Sequence, residues 1–281
     1  MMAPANPLPR LTRSIGANAV LLGLAGLVLL PYAWMALTAM RAPSEIFSDP
    51  FGLPHDPGIL VDNIRRAFAA VPMARFLLNG LVVTAGLLML QLAVAVPCAY
   101  ALAKLRFAGK SALFALIVAA LCVPIQVPML PIYIVLASLK ALDSYFALIF
   151  PFVLSPFAIF LLRQQFRAFP DEIIQAARLD GFSEVEIMLR LVVPSARPAI
   201  AAFAVFSITA HWNDLYWPLI VVSSETMATP PLGLMFFRDG DLGTDYGPLM
   251  AGAILIVAPV MLVFLLAQRQ FIRGLTMTGL R

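Results

Sequence analysis

The segment QAARLDGFSEVEIMLRLVVPSARP, residues 175–198, carries more charge than the apolar stretches on either side and closes on two prolines four residues apart. Its pattern is that of two short helices. Asp171 and Glu172 stand where a first helical turn favours acids, and DEIIQAARLD then reads as one helix stopped at Gly181, a residue suited to a left-handed cap. Ser183 followed three residues later by Glu186 makes a capping-box pattern, and Val185, Met188, Leu189 and Val192 recur at i, i+3, i+4 and i+7. Pro194 and Pro198 stop the second helix. A solvated loop would account for the charges, but not for a cap, a glycine corner and a double proline in this order.

Around this segment the chain is far too apolar for a soluble domain. Its 281 residues are 62% hydrophobic and 12% charged, roughly half the usual charge. Hydrocarbon about 30 Å thick needs near 20 apolar residues in helix, because lipid leaves only helices or closed barrels for the backbone. The sequence predicts an all-α integral membrane protein as a single domain over residues 1–281, with six transmembrane helices at about 15–39, 76–102, 111–138, 144–162, 199–221 and 247–268. An external loop covers 41–75, irregular in its first half, and the charged segment lies in a loop at 171–198 between spans four and five. Thirteen of the nineteen Lys and Arg, from Arg10 to Arg281, fall on one side of this arrangement. That side is predicted to be cytoplasmic, with both termini and the 171–198 loop on it. The net charge of +4 follows from this asymmetry and implies no nucleic-acid partner. The N-terminal apolar run exceeds a signal-peptide core and reads as an uncleaved first span.

Several other stretches resolve to bland readings. KLRFAGKS, residues 104–111, ends like a phosphate-binding loop, but Lys104 occupies the position of the first glycine and bulky residues follow. Cys98 and Cys122 fall inside spans and read as packing residues. In DNIRRAFAAV, Ile64, Phe68 and Val71 predict a short amphipathic helix before span two. The acidic spacing of Asp239, Asp241 and Asp245 lacks a calcium-loop pattern. VPIQVPMLPIY in span three, with Pro124, Pro128 and Pro131, predicts a broken helix whose freed backbone groups face protein or water.

QAARLDG, the spacing to Met188, and Pro194 with Pro198 together resemble the EAA loop of permease subunits of bacterial binding-protein-dependent ABC importers. Gln175, Phe182 and Met188 depart from that pattern, whereas Ala176, Ala177, Asp180 and Gly181 keep it. FLLNGLVVTAGLLMLQLAVAVPCAYALAKLRF, PMLPIYIVLASLKALDSYFALIFPFVLSPFAIFLLRQQF and QRQFIRGLTMTGLR are similar to the maltose-type, carbohydrate class. The resemblance implies a multi-pass, non-catalytic subunit of the bacterial inner membrane. It implies a second permease subunit, two cytoplasmic ATPase subunits that hold ATP and Mg, and an extracytoplasmic solute-binding protein. No cofactor is then bound by this chain. Gln175, Ala176, Ala177, Asp180, Gly181, Phe182, Met188, Pro194 and Pro198 would form the ATPase-coupling element.

At 1.5 Å per residue, His211 lies roughly 20 Å into span five, a depth comparable to that of Gln126 in span three. Gln126, His211, Trp212, Asn213 and Asp214 are therefore the predicted substrate pathway, since polar groups at depth face a cavity and aromatic faces with Asn or Asp suit sugars. Tyr216 and Trp217 read as interface anchors, and Asn79 and Gln91 in span two are further pathway candidates that buried helix-to-helix hydrogen bonding explains as well. A self-sufficient secondary transporter is the alternative. It would usually show internal repeats and buried coupling charges, and Asp214 alone qualifies.

Overall fold

A computed structural model describes residues 8–48, 52, 54, 56, 58–239 and 243–276, with side-chain surroundings for 17–48, 52, 54, 56, 58–237 and 245–266. Residues 1–7 and 277–281 lie outside the described residues, as does Asp241 of the acidic loop. Helices dominate, and the chain divides into two compact units.

The first unit comprises residues up to Ala70 together with Phe237–Leu255. It holds α1 (Leu8–Ala39), α2 (Pro43–Ser48), α3 (Gly58–Ala70), a two-residue antiparallel ladder of β1 (Arg238–Asp239) with β2 (Gly243–Thr244), and the start of a long last helix, α15 (Tyr246–Thr276). The amphipathic helix predicted from Ile64, Phe68 and Val71 forms, with Val71 buried just past its end and Ile64 half-buried, but Phe68 is exposed and the helix buries Asn63 and Ala67. Polar satisfaction decides this: Asn63 Nδ2 donates to the carbonyls of Ala39 at 3.0 Å and Arg41 at 3.2 Å, capping the end of α1. Arg66 pairs with Asp245 beside it. The helical turn of α2 also interrupts a loop expected to be irregular.

The second unit, Val71–Phe236 with Ile256 onward, is organised on α4 (Met73–Lys104), which packs along α8 (Pro156–Arg167) and α12 (Arg197–Trp212). Among the described residues three helices are each long and apolar enough to cross a membrane: Ala17–Ala39, Met73–Lys104 and Tyr246–Leu266. The remaining apolar segments are built from pieces. The prolines break span three into α5 (Lys110–Leu121) and α6 (Met129–Ser138), as their count predicts. Span four is α7 (Tyr145–Ile149), a 3-10 turn and α8, bent by 42°. Ser144 and Ser155 cap these two helices, accepting from the amides of Ala147 and Ala158, each at 3.2 Å. Span five, expected as one helix, is α12 followed after Asn213–Leu215 by α13 (Tyr216–Val221).

Near the end of α4 lies an apolar core. Ala95, Ala99 and Leu102 of α4 meet Ile159, Leu162 and Phe166 of α8 and Phe203 of α12. Ile174 and Ala177 of α9 (Asp171–Leu179), Ile187 of α10 (Glu184–Ile187) and the following Val192 complete it.

Candidate functional site

The 171–198 segment folds as its residues predict at the corner and differently beyond it. Asp171 and Glu172 occupy the first turn of α9, and Gly181 has φ +85°. Gly181 N–H donates to Arg178 carbonyl at 3.1 Å and Phe182 N–H to Ala177 carbonyl at 3.0 Å, the paired bonds of a Schellman cap. Phe182 packs against the apolar core, so a large side chain serves where the permease pattern has a small one. Ser183 Oγ accepts from Glu186 N–H at 3.3 Å while a Glu186 carboxylate oxygen accepts from Ser183 N–H at 3.0 Å, completing the capping box.

The predicted apolar face of the second helix is corrected. Ile187 and Val192 are buried, Met188 is half-buried, and Val185 and Leu189 are exposed. The cause is a π-turn over Met188–Val192, in which Val193 N–H donates to Met188 carbonyl. A wider turn puts residues five apart on one face, and it lies directly before Pro194, whose ring would clash with a carbonyl in a tight α-turn. After the short α11 (Val193–Ser195), the chain bends by 78° into α12, with Pro198 in its first turn. On the opposite side, Ile173, Gln175, Ala176, Asp180 and Leu179 stand exposed, Leu179 at 90%. Ile173 and Leu179 are thus the large apolar side chains that this helix leaves exposed, while Ile174 and Ala177 are buried.

Sequence reasoning missed the polar ties beneath this surface. Tyr100 O–H donates to Glu184 Oε2 and Arg178 Nε to Glu184 Oε1, both at 2.6 Å. Lys104 Nζ donates to Asp171 Oδ1 at 2.5 Å and to Phe169 carbonyl at 2.6 Å. The Arg178 hydrogen bond holds the Glu184 carboxyl below its usual range, and the Lys104 bond does the same for Asp171. Within the KLRFAGKS stretch, Lys110 Nζ donates to Leu105 carbonyl at 2.8 Å, an end-of-helix contact.

The five pathway residues are only partly brought together. His211 Nε2 lies 3.1 Å from Gln91 Nε2, which donates to Phe152 carbonyl at 2.9 Å, while Gln91 Oε1 accepts from Ser207 Oγ at 2.7 Å. With the Gln91 amide donating, His211 Nε2 accepts and its ring proton sits on Nδ1. Asn213 is exposed and donates to Thr209 carbonyl at 2.8 Å. Asp214 is half-buried and accepts from Trp217 N–H at 3.4 Å, at the start of α13. Gln126 is exposed in the break between α5 and α6 and makes no side-chain hydrogen bond to residues 211–214 among the described residues.

Two aromatic expectations change. Trp212 is buried with its indole N–H on Ile256 carbonyl at 2.9 Å, so it is a packing residue and leaves the pathway set. Trp217 is not an interface anchor: it is 1% exposed and donates to Ala147 carbonyl at 2.8 Å. Of the two readings of Asn79, the structure bears on burial: it is buried, donating to the carbonyls of Thr226 at 3.0 Å and Ala228 at 2.9 Å and accepting from Tyr145 O–H at 2.6 Å.

Residues 72–277 match the family model described as "Binding-protein-dependent transport system inner membrane component". The chain is 32% identical over 257 residues to the arabinooligosaccharides transport system permease protein AraQ of Bacillus subtilis strain 168, covering 91% of each chain. It is 31% identical to the sn-glycerol-3-phosphate transport system permease protein UgpE of Escherichia coli O1:K1, covering 91% of this chain and 93% of that one. Among solved structures, a bacterial ABC transporter involved in import of the acidic polysaccharide alginate matches with TM-score 0.79 at 23% identity, over 96% of this chain and 100% of that one, a likeness of fold. A match over most of the chain, joined to relatives of the same length, establishes that this protein belongs to the family of inner membrane components of binding-protein-dependent transport systems.

Proposed function

We propose that this chain forms half of the pore of an ABC importer for a sugar or related solute, and that residues 171–198 couple it to a separate ATPase subunit. The observation that carries the coupling reading is the 171–198 segment itself: one face packed into the core, the other presenting Leu179, Ile173 and Ala176. Gln175, Ala176, Ala177, Asp180, Gly181, Phe182, Met188, Pro194 and Pro198 form this element, the exposed ones for docking and Ala177, Phe182 and Met188 for anchoring. A self-sufficient secondary transporter falls away, because the family works with a binding protein. The carbohydrate reading is supported by the names of the relatives, among which a glycerol phosphate carrier keeps polyol phosphates as a second class. ATP and Mg are held by the partner ATPase pair, and this chain is a non-catalytic subunit beside a second permease and an extracytoplasmic binding protein.

Six spans with both termini cytoplasmic, making one permease domain over 1–281, are the topology this function needs, three of them interrupted in the manner described. Cysteine introduced at Ser183 is expected to react with a membrane-impermeant thiol reagent only from the cytoplasmic face, and cysteine at Glu225 only from outside, in a background lacking Cys98 and Cys122. The opposite labelling pattern sinks the orientation and with it the coupling assignment.

The pathway reading retains Gln126, His211, Asn213 and Asp214. Span three gives it some support, since Ile125 and Gln126 donate to no backbone carbonyl among the described residues, and amides left so in a bilayer need water or a polar partner. Asp214→Asn preserves an acceptor for the start of α13, so the complex is expected to assemble. Loss of a charged hydrogen-bond acceptor lowers uptake at limiting solute by roughly tenfold. Wild-type uptake by that variant removes Asp214 from the pathway.

A further inference from the structure

The end of α4 is tied to both helices of the coupling segment by side chains outside the permease loop pattern. Glu184, the first residue of α10, uses its two carboxylate oxygens in different directions: Oε2 accepts from Tyr100 of α4 and Oε1 from Arg178 of α9. One carboxylate therefore joins three elements. Four residues beyond Tyr100, and so on the same face of α4, Lys104 holds Asp171 at the first turn of α9. The coupling segment is pinned at its start and at its corner to one stripe of one helix.

Energy is not what the Glu184 pair contributes. Its partners Arg178 and Glu184 are 42% and 40% exposed, and an ion pair that open adds little stability. Direction is what it contributes. Ile187 and Val192 anchor α10 by apolar contact, which resists separation but not rotation, whereas two charge-assisted hydrogen bonds aimed from different helices resist rotation about the Gly181 corner.

We propose that Glu184 is a positioning residue that locks α9 and α10 to the end of α4, so that a displacement of the coupling segment carries α4 with it as one body. The proposal rests on the coupling reading above. It names a route into the pore: nine residues back along the continuous helix α4, past Pro97 and roughly 14 Å from Tyr100, lies Gln91, which holds Ser207 and His211. A push received at α9 and α10 reaches the polar group of span five through span two, as well as through the bent 78° connection into α12.

The test uses the importer reconstituted with its second permease, ATPase pair and binding protein, and reads ATP hydrolysed per solute molecule moved. A smaller amount of folded or assembled complex lowers hydrolysis and uptake together and leaves that ratio unchanged, so the ratio separates positioning from mere stability. Glu184→Gln retains the side-chain shape but puts an amide NH2 where one of the two carboxylate oxygens stood, so the donors that met separate oxygens cannot both keep their geometry. Tyr100→Phe removes only the hydroxyl. Each is expected to raise ATP per solute about fivefold, and the double variant no further than either alone, because both act on one tie. Gly181→Val is the control for the coupling reading. A disturbed Gly181→Val with wild-type ratios in Glu184→Gln and Tyr100→Phe overturns the role of Glu184 and leaves the coupling element standing; no change in any of the three overturns the coupling element itself. Should Glu184→Gln fail to insert, the ratio in Tyr100→Phe alone decides between these outcomes.

Discussion

Gly181→Val is expected to leave the chain in the membrane and lower solute uptake by more than about tenfold, a loss of at least ~1.4 kcal/mol in the coupled step. The reason is confined to the backbone. At φ +85° an added Cβ meets nothing within 4 Å, so no neighbour opposes the side chain. The left-handed conformation does: it costs an ordinary residue roughly 1–2 kcal/mol and a β-branched one more. The chain escapes by turning residue 181 back to negative φ, which breaks the Gly181-to-Arg178 and Phe182-to-Ala177 bonds and swings α10 away from α9. Gly181→Asn tolerates the left-handed region and is expected to retain most uptake. Uptake in cells, alongside immunodetection of the membrane-inserted chain and binding-protein-stimulated ATP hydrolysis, checks both variants. A valine variant with normal uptake and normal stimulation means the corner does not transmit.

The second large effect is on folding. Gly233, in α14 (Pro230–Gly233), lies so close to α4 that an added Cβ would sit 2.2 Å from a Phe76 ring carbon. Gly80 on α4 faces Pro230 across the same contact, where a Cβ would meet ring carbon at 2.5 Å. Neither side can move easily. Phe76 is fully buried and stacked on Phe236 at 6.2 Å, and Asn79 fastens the Thr226 and Ala228 carbonyls that precede α14. Overpacking of this kind costs about 1–3 kcal/mol, and here a rigid ring takes the clash. Gly233→Ala and Gly80→Ala should each lower the yield of folded, detergent-extracted protein and its midpoint of thermal aggregation by several degrees. Gly26→Ala, on α1 with nothing within 4 Å of its Cβ, should match wild type. Equal behaviour of all three alanines would show that α14 yields freely.

What is legible from sequence alone is whatever neighbours within a few residues determine. The Gly181 corner, the Ser183–Glu186 box and the proline break in span three each depend on local backbone chemistry, and each is present. The π-turn is out of reach, because an α-period and a π-period differ by less than one residue over a single turn. Asn63 and Ala67 are buried where Phe68 is not, for a reason periodicity does not weigh, namely the end carbonyls of α1. Trp217 and Trp212 defeat a local reading because an indole at the edge of an apolar run looks the same whether it faces headgroups or a carbonyl 70 or 44 residues away. The Tyr100–Glu184 bond spans 84 residues and has no local signal. The spacing of Tyr100 and Lys104 at i and i+4 is the one hint available.

The core beneath α9 and α10 draws its members from residue 95 to residue 203. That composition sets a timetable for biosynthesis. Ala95, Leu102, Ile159, Leu162 and Phe166 emerge from the ribosome before Ile174, Ala177 and Ile187, and Phe203 emerges after them, so when the backbone of α9 and α10 is complete one side of their core is still open. The 171–198 segment therefore closes the last side of its core only when α12 has followed it. A nascent chain stalled before that point would hold α9 and α10 against α4 and α8 alone, with the Phe203 side uncovered.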